Sequence, residues 1–499
     1  MSTASQTRPQ NPPRTRLSAL LDVFEELSLD GDPDTEVTGV CLDSRRVQPG
    51  DLYVALAGAT SHGANYTEQA FAAGAVAVLT DSEVTHFRGE GPHLTAHDPR
   101  SLLGRLSAAI YDNPAEKLTT IGITGTQGKT TTSRLLEGAL EASGVPTGVI
   151  GTIGTRINGV DVKTSLTTPE APDLHGLFAR MVEDGVRVCV MEVSSHALVM
   201  GRVDGVVFDV AVFLNLGRDH LDFHHTVEEY FQAKASLFTP LRAKQSVINL
   251  DDEYGRRLSL ETSIPTTTYG AKIQQADWTF EIVDRDPGET IFELSRRWHR
   301  TRVITVPMPG DYNASNAAAA LLAAAAAGLN WRDVARGLAT GRGVPGRLEE
   351  IENGAGIQVI VDYAHKPDAV EAAIATMRPL ARRVLVVIGA GGDRDTGKRP
   401  IMGEIAARLA DVVVVTDDNP RSEEPAAIRA QVLAGTAAQD AEVREIGDRR
   451  AAITYAIKAA GPGDVVLILG KGHETGQEIA GVIHPFDDRD VARDVLRAL

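Results

Sequence analysis

Apolar residues in this 499-residue chain fall into two recurring patterns. Short unbroken runs, such as Leu118 to Thr124, Val186 to Val193, Val206 to Leu214 and Val384 to Ile388, predict strands buried on both faces. Between them, apolar residues spaced three and four apart predict amphipathic helices that cover those strands. The alternation is most regular after residue 344: strand Ile357 to Asp362, helix Pro367 to Met377, strand Val384 to Ile388, helix Pro400 to Leu409, strand Val412 to Thr416, helix Pro425 to Ala434, helix Arg449 to Ala460, strand Val465 to Leu469. Such alternation implies a parallel sheet covered on both faces, a Rossmann-like unit that needs no dinucleotide. Nearer the N-terminus, runs such as Leu52 to Leu56 and Ala75 to Leu79 alternate with loops of small residues, and Asn313 stands as an N-cap before the alanine-rich helix Ala314 to Ala327.

Asp112-Asn113-Pro114 and the Gly341 to Gly346 segment break these patterns. The expected division is a disordered tail over 1–16, an α/β domain over 17–113, a central domain with a mostly parallel sheet over 114–343, and a C-terminal domain over 344–499. The tail carries Pro9, Pro12, Pro13, Arg14 and Arg16 and lacks the apolar core of a signal peptide. A formal charge of -17 argues against a nucleic-acid partner, so a polyanionic ligand must be held by locally placed cations and backbone dipoles. No segment has the apolar length to insert in a membrane. Cys41 and Cys189 cannot build a disulfide framework and read as reduced thiols of a cytoplasmic protein.

Between the run ending at Thr124 and a helical stretch lies Gly125-Thr126-Gln127-Gly128-Lys129-Thr130. A glycine-rich turn there lets backbone N–H groups close around a polyphosphate, while the lysine neutralises its oxygens and the threonine hydroxyl can hold Mg²⁺. The spacing is a short G-T-x-G-K-T, since Gly122 is one place off the commoner register. The run Val186 to Val193 carries Glu192 at its end and leads into Ser194-Ser195-His196. A glutamate at the end of a strand beside the phosphate loop can ligate Mg²⁺. His220 follows in Arg218-Asp219-His220-Leu221-Asp222, either as a satisfied structural histidine or, with Glu192, as part of a second Mg²⁺ site. On the next helix, from Val227 to about Phe238, Lys234 shares a face with Tyr230, Phe231, Leu237 and Phe238. It either snorkels to water or is a buried lysine nucleophilic enough to add CO₂ and become a carbamate.

In the C-terminal domain the unusual residues all follow strands: Asp362 to His365, Gly389 to Lys398, Asp417 to Arg421 and Gly470 to Glu474. Turn chemistry alone explains any one of these loops. Together they converge on one rim of a doubly wound sheet, where ligands bind. Arg394 and Arg421 facing Glu474 suit a zwitterionic amino acid, because guanidinium groups fork onto carboxylate and a carboxylate holds ammonium.

At these residues the chain resembles the Mur ligase family, the ATP-dependent amide-forming enzymes of peptidoglycan assembly, from about Leu17 to the C-terminus in the same three-domain order. The resemblance rests on the G-T-x-G-K-T loop, Glu192 to His196, Arg218 to His220, Lys234, and Asn313 with Asn316. It is greatest to the members that add the third residue of the stem peptide. It implies a nucleotide site of Gly125, Thr126, Gln127, Gly128, Lys129, Thr130, Thr131, Asn313, Asn316, Arg347, Asp362 and His365. It also implies two Mg²⁺ ions at Thr130, Glu192, His220 and a carbamylated Lys234, with Lys129, Glu192, His220 and Lys234 as the catalytic set. Leu42-Asp43-Ser44-Arg45 resembles the uridine-nucleotide segment, through Leu42 and Ser44, of an N-terminal UDP-binding domain. Thr167 and Thr168, with Ser194 and Arg202, are similar to the residues that contact the muramoyl peptide. D-N-P-R, at Asp418, Asn419, Pro420 and Arg421, accompanies meso-diaminopimelate rather than lysine in this family, so Arg394, Asp418, Asn419, Arg421, Gly470 and Glu474 are implied to hold that amino acid. The implied reaction joins it to UDP-MurNAc-L-Ala-D-Glu at the D-Glu γ-carboxylate, through an acyl phosphate, in a monomer. The alternatives are the same reaction with L-lysine or another amino acid, a folylpolyglutamate- or cyanophycin-type synthetase, and a nucleotide-gated binding protein without ligase chemistry.

Overall fold

The computed structural model describes residues 7–58, 60–84, 88–286, 288–297, 301–341 and 343–499. They form two compact units: Met1–Phe280 with Leu294–Thr301 and Asn316–Leu338, and Glu281–Glu293 with Arg302–Ser315 and Ala339–Leu499. The expected border at 113/114 therefore lies inside the first unit, which contains two sheets with separate apolar cores.

The smaller sheet has the strand order Ser28–Asp30, His93–Ala96, Ala77–Asp81, Asp51–Ala55, Gly39–Cys41. All its neighbours are parallel except the first pair. Leu52, Val54, Leu79 and Leu94 are fully buried in it. The larger sheet is parallel from Thr147–Gly151 through Val188–Glu192, Thr119–Thr124, Val210–Phe213, Ser246–Asn249 and Thr266–Ala271. Ile121, Ile123, Val190 and Val212 are inaccessible to solvent, as a sheet covered on both faces requires. Thr119–Thr124 sits between Val188–Glu192 and Val210–Phe213, while the next strand in sequence, Thr147–Gly151, lies one place beyond. The strand order reverses there, so the carboxyl end of Thr119–Thr124 is a topological switch point where a crevice opens.

The second unit contains a six-stranded sheet in the order Glu349–Glu350, Gln358–Asp362, Val465–Leu469, Val384–Ile388, Val412–Val415, Glu442–Glu445. It is parallel apart from the first short strand. The strands and helices read from the sequence between 357 and 469 match to within two residues; that reading passed over polar Glu442–Glu445, the exposed edge, as well as the helix Asp488–Arg497 and the short strands Glu349–Glu350, Gly476–Ile479 and Val482–Pro485. Among the described residues no helix is long and apolar enough to cross a membrane.

Two expectations change. The tail is ordered from residue 7: Arg8 forms a buried ion pair with Asp51 at 2.5 Å, the backbone of Gln10 and Asn11 donates to the Glu183 carboxylate, and Thr15–Arg16 pairs as a short strand with Glu36–Val37. Residues 1–6 of that tail lie outside the described residues. Asn313 is not the N-cap, because the helix begins at Asp311. Gly310, at φ +104°, turns the chain into the helix early, and the Asn313 amide donates to the Pro309 carbonyl at 2.8 Å instead.

Candidate active site

In the first unit, the loop Gly125 to Gly128 joins the switch-point strand to the helix Lys129–Ala142. Gly128 stands at φ +86°, and a Cβ there would lie 2.4 Å from Asn316 Oδ1. Only glycine fits, and Asn316 is thereby placed against the loop, where Thr132 Oγ1 also donates to its Oδ1 at 3.4 Å. Asn215, at the end of the adjacent strand, clamps the loop from the other side. Its Oδ1 accepts the Gln127 N–H at 2.9 Å and its carbonyl accepts the Thr126 N–H at 3.0 Å. Lys129 folds back so that Nζ donates to the Gly125 carbonyl at 2.5 Å and the Thr126 carbonyl at 3.1 Å. Thr130 and Thr131 are buried in the first turn of the helix.

Glu192 ends the neighbouring strand and is 1% exposed. Its Oε2 accepts hydroxyl hydrogen bonds from Thr130 and Thr152, both at 3.0 Å, and its Oε1 accepts the Thr152 N–H at 2.8 Å. Thr152 Oγ1 also lies 3.1 Å from Thr167 Oγ1. Thr168 donates to the Glu192 carbonyl at 2.8 Å and accepts the Ser194 N–H at 3.1 Å, and Arg202 reaches Glu170 at 2.7 Å. Thr168 and Ser194 are thus held at the Glu192 backbone, Thr167 reaches its carboxylate only through Thr152, and Arg202 is tied to this segment by its Nη1, which donates to the Thr168 carbonyl at 3.4 Å.

Lys234 is 1% exposed, so it does not snorkel. Its Nζ donates to the Gly125 carbonyl at 3.0 Å and Thr124 Oγ1 at 3.4 Å, and lies 4.6 Å from the centre of the Tyr230 ring. The Tyr230 hydroxyl is 3.2 Å from Thr126 Oγ1, and burial pushes its pKa up. His220, at φ +53°, is half exposed beside Asp219 at 3.3 Å, with ring centres 4.7 Å from His196 and 6.0 Å from Tyr230. Tyr230 is therefore common to His220 and Lys234. Among the described residues no group of three or more His, Cys, Asp or Glu side chains converges as a ready cation cage.

In the N-terminal sheet, Ser44 donates to Gln69 Oε1 at 3.1 Å, Leu42 is half-buried against the core, and Asp43 forks onto Arg45. Arg46 forks onto Asp173 at 2.8 and 3.1 Å. Asp173 lies in the first turn of the helix that follows the Thr167 to Glu170 loop, so this pair ties the Leu42 to Ser44 segment to that loop.

The second unit brings the four strand-end loops to one rim. Asp362 accepts the N–H groups of Leu348 and Ala364 at 2.7 and 2.8 Å. Burial pushes its carboxyl up, opposed by nearby Arg347, whose guanidinium lies 4.7 Å over the Tyr363 ring. His365 Nδ1–H donates to the Tyr363 carbonyl at 2.7 Å, and burial pushes its pKa down to about 4, so the imidazole is neutral at physiological pH. Asn419 and Glu474 meet at 2.8 Å. Gly470, at φ +117°, admits no Cβ, which would lie 2.4 Å from Asp418 Oδ2. Arg421 Nη1 donates to the Gly392 carbonyl at 2.6 Å, while Arg394 is exposed and both guanidinium side chains flank Gly391.

Sequence reasoning passed over Asn215, Thr152 and the Arg46–Asp173 pair, and took Tyr230 only as part of the apolar face that carries Lys234. Asn215 alone left a local signal, a polar residue just after an apolar run.

Three segments match the Mur ligase family: residues 36–110 its catalytic domain, 123–324 its middle domain, and 346–472 its glutamate ligase domain. A UDP-N-acetylmuramoyl-L-alanyl-D-glutamate--2,6-diaminopimelate ligase of Streptomyces coelicolor is 48% identical over 498 residues, 98% of each chain. The enzyme of the same name from Geobacillus thermodenitrificans is 44% identical over 475 residues, 94% of this chain and 96% of its own. A solved structure of a ligase with that name superposes with a TM-score of 0.71 at 32% identity, covering 97% of this chain and 99% of that one. The MurF ligase of Thermotoga maritima, solved in complex with ADP, shares the fold with a TM-score of 0.62 at 20% identity, covering 92% of this chain and 97% of that one.

Proposed function

The chain belongs to the Mur ligase family, and from that premise we infer that it is the ATP-dependent ligase that joins meso-diaminopimelate to the D-Glu γ-carboxylate of UDP-N-acetylmuramoyl-L-alanyl-D-glutamate in peptidoglycan precursor synthesis. The observation that carries the substrate is near-full-length identity to relatives of that name, in a chain whose C-terminal rim carries Asp418, Asn419 and Arg421. A carboxylate does not condense with an amine at neutral pH, because oxide is a poor leaving group. ATP supplies a better one: the γ-carboxylate oxygen attacks the γ-phosphorus, the bond to the β-phosphate oxygen breaks, and ADP departs. The backbone N–H groups of the Gly125 to Thr130 loop and the Lys129 ammonium offset the charge of the phosphoryl group in flight. Thr167, Thr168, Ser194 and Arg202 hold the muramoyl peptide so that its carboxylate faces that loop. The diaminopimelate amine then attacks the acyl carbon, and the tetrahedral intermediate expels phosphate and a proton to leave the amide. Asn316 in the first unit, and Asn313, Arg347, Asp362 and His365 in the second, are assigned further nucleotide-binding roles, and Leu42 and Ser44 take the uridine end.

The hard oxygens of Thr130 and Glu192 suit Mg²⁺, and His220 with a carbamylated Lys234 would hold a second ion. Bound there, the ions would neutralise phosphate charge. Buried Lys234, 3.0 Å from the Gly125 carbonyl, is placed for the carbamate to present oxygens at the start of the loop. Lys234→Met is therefore expected to abolish product formation and to recover part of it with added short carboxylic acids. Full turnover without any addition overturns the carbamate role. The reading extends to a cytoplasmic monomer, supported on the first point by two buried free cysteines.

Phosphate release with the UDP-linked dipeptide and a panel of amino acids tests the whole assignment. Release coupled to amide formation with meso-diaminopimelate, and far less with L-lysine, is expected. Equal use of lysine overturns the amino-acid assignment, and release without any amino acid overturns ligase chemistry.

A further inference from the structure

Lys471 is a lysine with no solvent exposure, in the loop after the strand Val465–Leu469. The glycines on either side force it inward. Gly470 and Gly472 stand at φ +117° and +52°, and a Cβ on Gly472 would lie 2.7 Å from both the Gly346 carbonyl oxygen and Tyr363 Cβ. The loop is therefore pressed onto its neighbours and the lysine side chain has no route to water. Its Nζ donates to Asn419 Oδ1 at 3.0 Å and to Glu474 Oε2 at 3.0 Å.

Those contacts fix the polarity of the pocket. Asn419 Oδ1 accepts from Lys471 Nζ and from the Glu478 N–H at 3.0 Å, two groups that can only donate. The Asn419 amide nitrogen must then face Glu474, whose Oε2 it reaches at 2.8 Å. One oxygen of Glu474 thus carries two donors, and its charge is offset by a buried ammonium. Arg421 is balanced in the same way, with Nε 3.3 Å from Glu478 Oε2.

We propose that Lys471 is a specificity-determining residue of the amino-acid pocket, making it accept a zwitterionic terminus and reject a lone ammonium; the proposal rests on the diaminopimelate reading above. A diaminopimelate terminus brings a carboxylate for Arg421 together with an ammonium for Glu474, so the pocket stays neutral on binding. A lysine side chain brings only the ammonium. It meets a glutamate already neutralised by Lys471 and adds an unmatched positive charge to a pocket containing Lys471 and Arg421. Specificity is a difference of affinities, and Lys471 supplies the element that repels the wrong substrate. Removing it leaves Glu474 uncompensated and attractive to any cation.

The test is the ratio of kcat/KM for meso-diaminopimelate to that for L-lysine, measured on the full-length enzyme with thermal melts to establish folding. Lys471→Met is expected to lower the ratio by about tenfold or more, with the lysine value rising in absolute terms, while Lys471→Arg stays within about threefold of wild type. Lys471→Gln keeps hydrogen-bond donors without the charge and is expected to behave like Lys471→Met, so it decides the matter if the methionine variant does not fold. Equal losses for both amino acids, or an unchanged ratio, overturn the proposal and leave the ligase reading intact. Wild-type enzyme that uses lysine as well as diaminopimelate overturns the proposal together with the diaminopimelate assignment it rests on.

Discussion

Gly128 and Glu192 show how much chemistry rests on single positions. At φ +86°, any side chain at 128 is strained, and its Cβ would also press on Asn316 Oδ1 at 2.4 Å. Gly128→Ala is expected to cost roughly 1–3 kcal/mol in backbone strain and to displace Asn316 from the loop. Nucleotide-dependent phosphate release should fall far more than thermal stability does, and a variant with wild-type turnover would sink the assigned role of the loop. Both residues were legible in the sequence, because the glycine-lysine-threonine run and the glutamate each terminate an apolar strand. Thr152 was not. It supplies two of the hydrogen bonds that orient Glu192 from 40 residues away, and a threonine in a glycine-rich turn carries no sign of that partner.

The paired helices Arg449–Ala459 and Asp488–Arg497 make the same point for whole elements. Arg449 and Asp488, each without exposure, meet through two bonds of 2.6 and 2.7 Å, and Arg449 also donates to the Leu469 carbonyl at 3.0 Å and the Asp417 carbonyl at 3.3 Å. Those carbonyls are where the Asp417 to Arg421 and Gly470 to Glu474 loops leave their strands. Asp488→Ala leaves a buried guanidinium unpaired and is expected to cost about 3–5 kcal/mol, whereas replacing both partners by Met and Leu should cost much less. Urea unfolding of the two variants checks this, and equal destabilisation would show that the pair contributes only packing. The core strands and helices of the second unit were legible because each is apolar or amphipathic along its own length. The helix Asp488–Arg497, rich in charge, and the arm from residue 7 to Arg16 were not. Arg8 meets Asp51 only in the fold, and proline with arginine over a short stretch otherwise describes an unstructured tail.

Across the whole molecule, acid should act first through buried imidazole. His175, with no exposure, packs edge-on to Phe178 and donates Nε2–H to the Asp204 carbonyl at 3.1 Å, and burial pushes its pKa down to about 4. Because the unfolded chain takes up this proton at about 6.5 and the folded chain only near 4, stability is fully present above pH 6.5 and is lost as pH falls toward 4. The loss amounts to about 3 kcal/mol. Carboxylates gripped by arginine act later: Glu423, hydrogen-bonded to Arg399, is pushed down to about 2, so its contribution disappears only below pH 4.5. Glu137 and Asp362, pushed up by burial, act in the opposite sense, so the comparison must be with a variant that lacks only the imidazole. His175→Phe is expected to be less stable than wild type at pH 7.5, because the Asp204 carbonyl loses its donor, yet to lose less stability between pH 6.5 and 4.5. Urea midpoints at several pH values across that window should therefore converge for the two proteins, and parallel curves would mean that folded His175 takes up its proton as readily as the unfolded chain does, which overturns the burial argument.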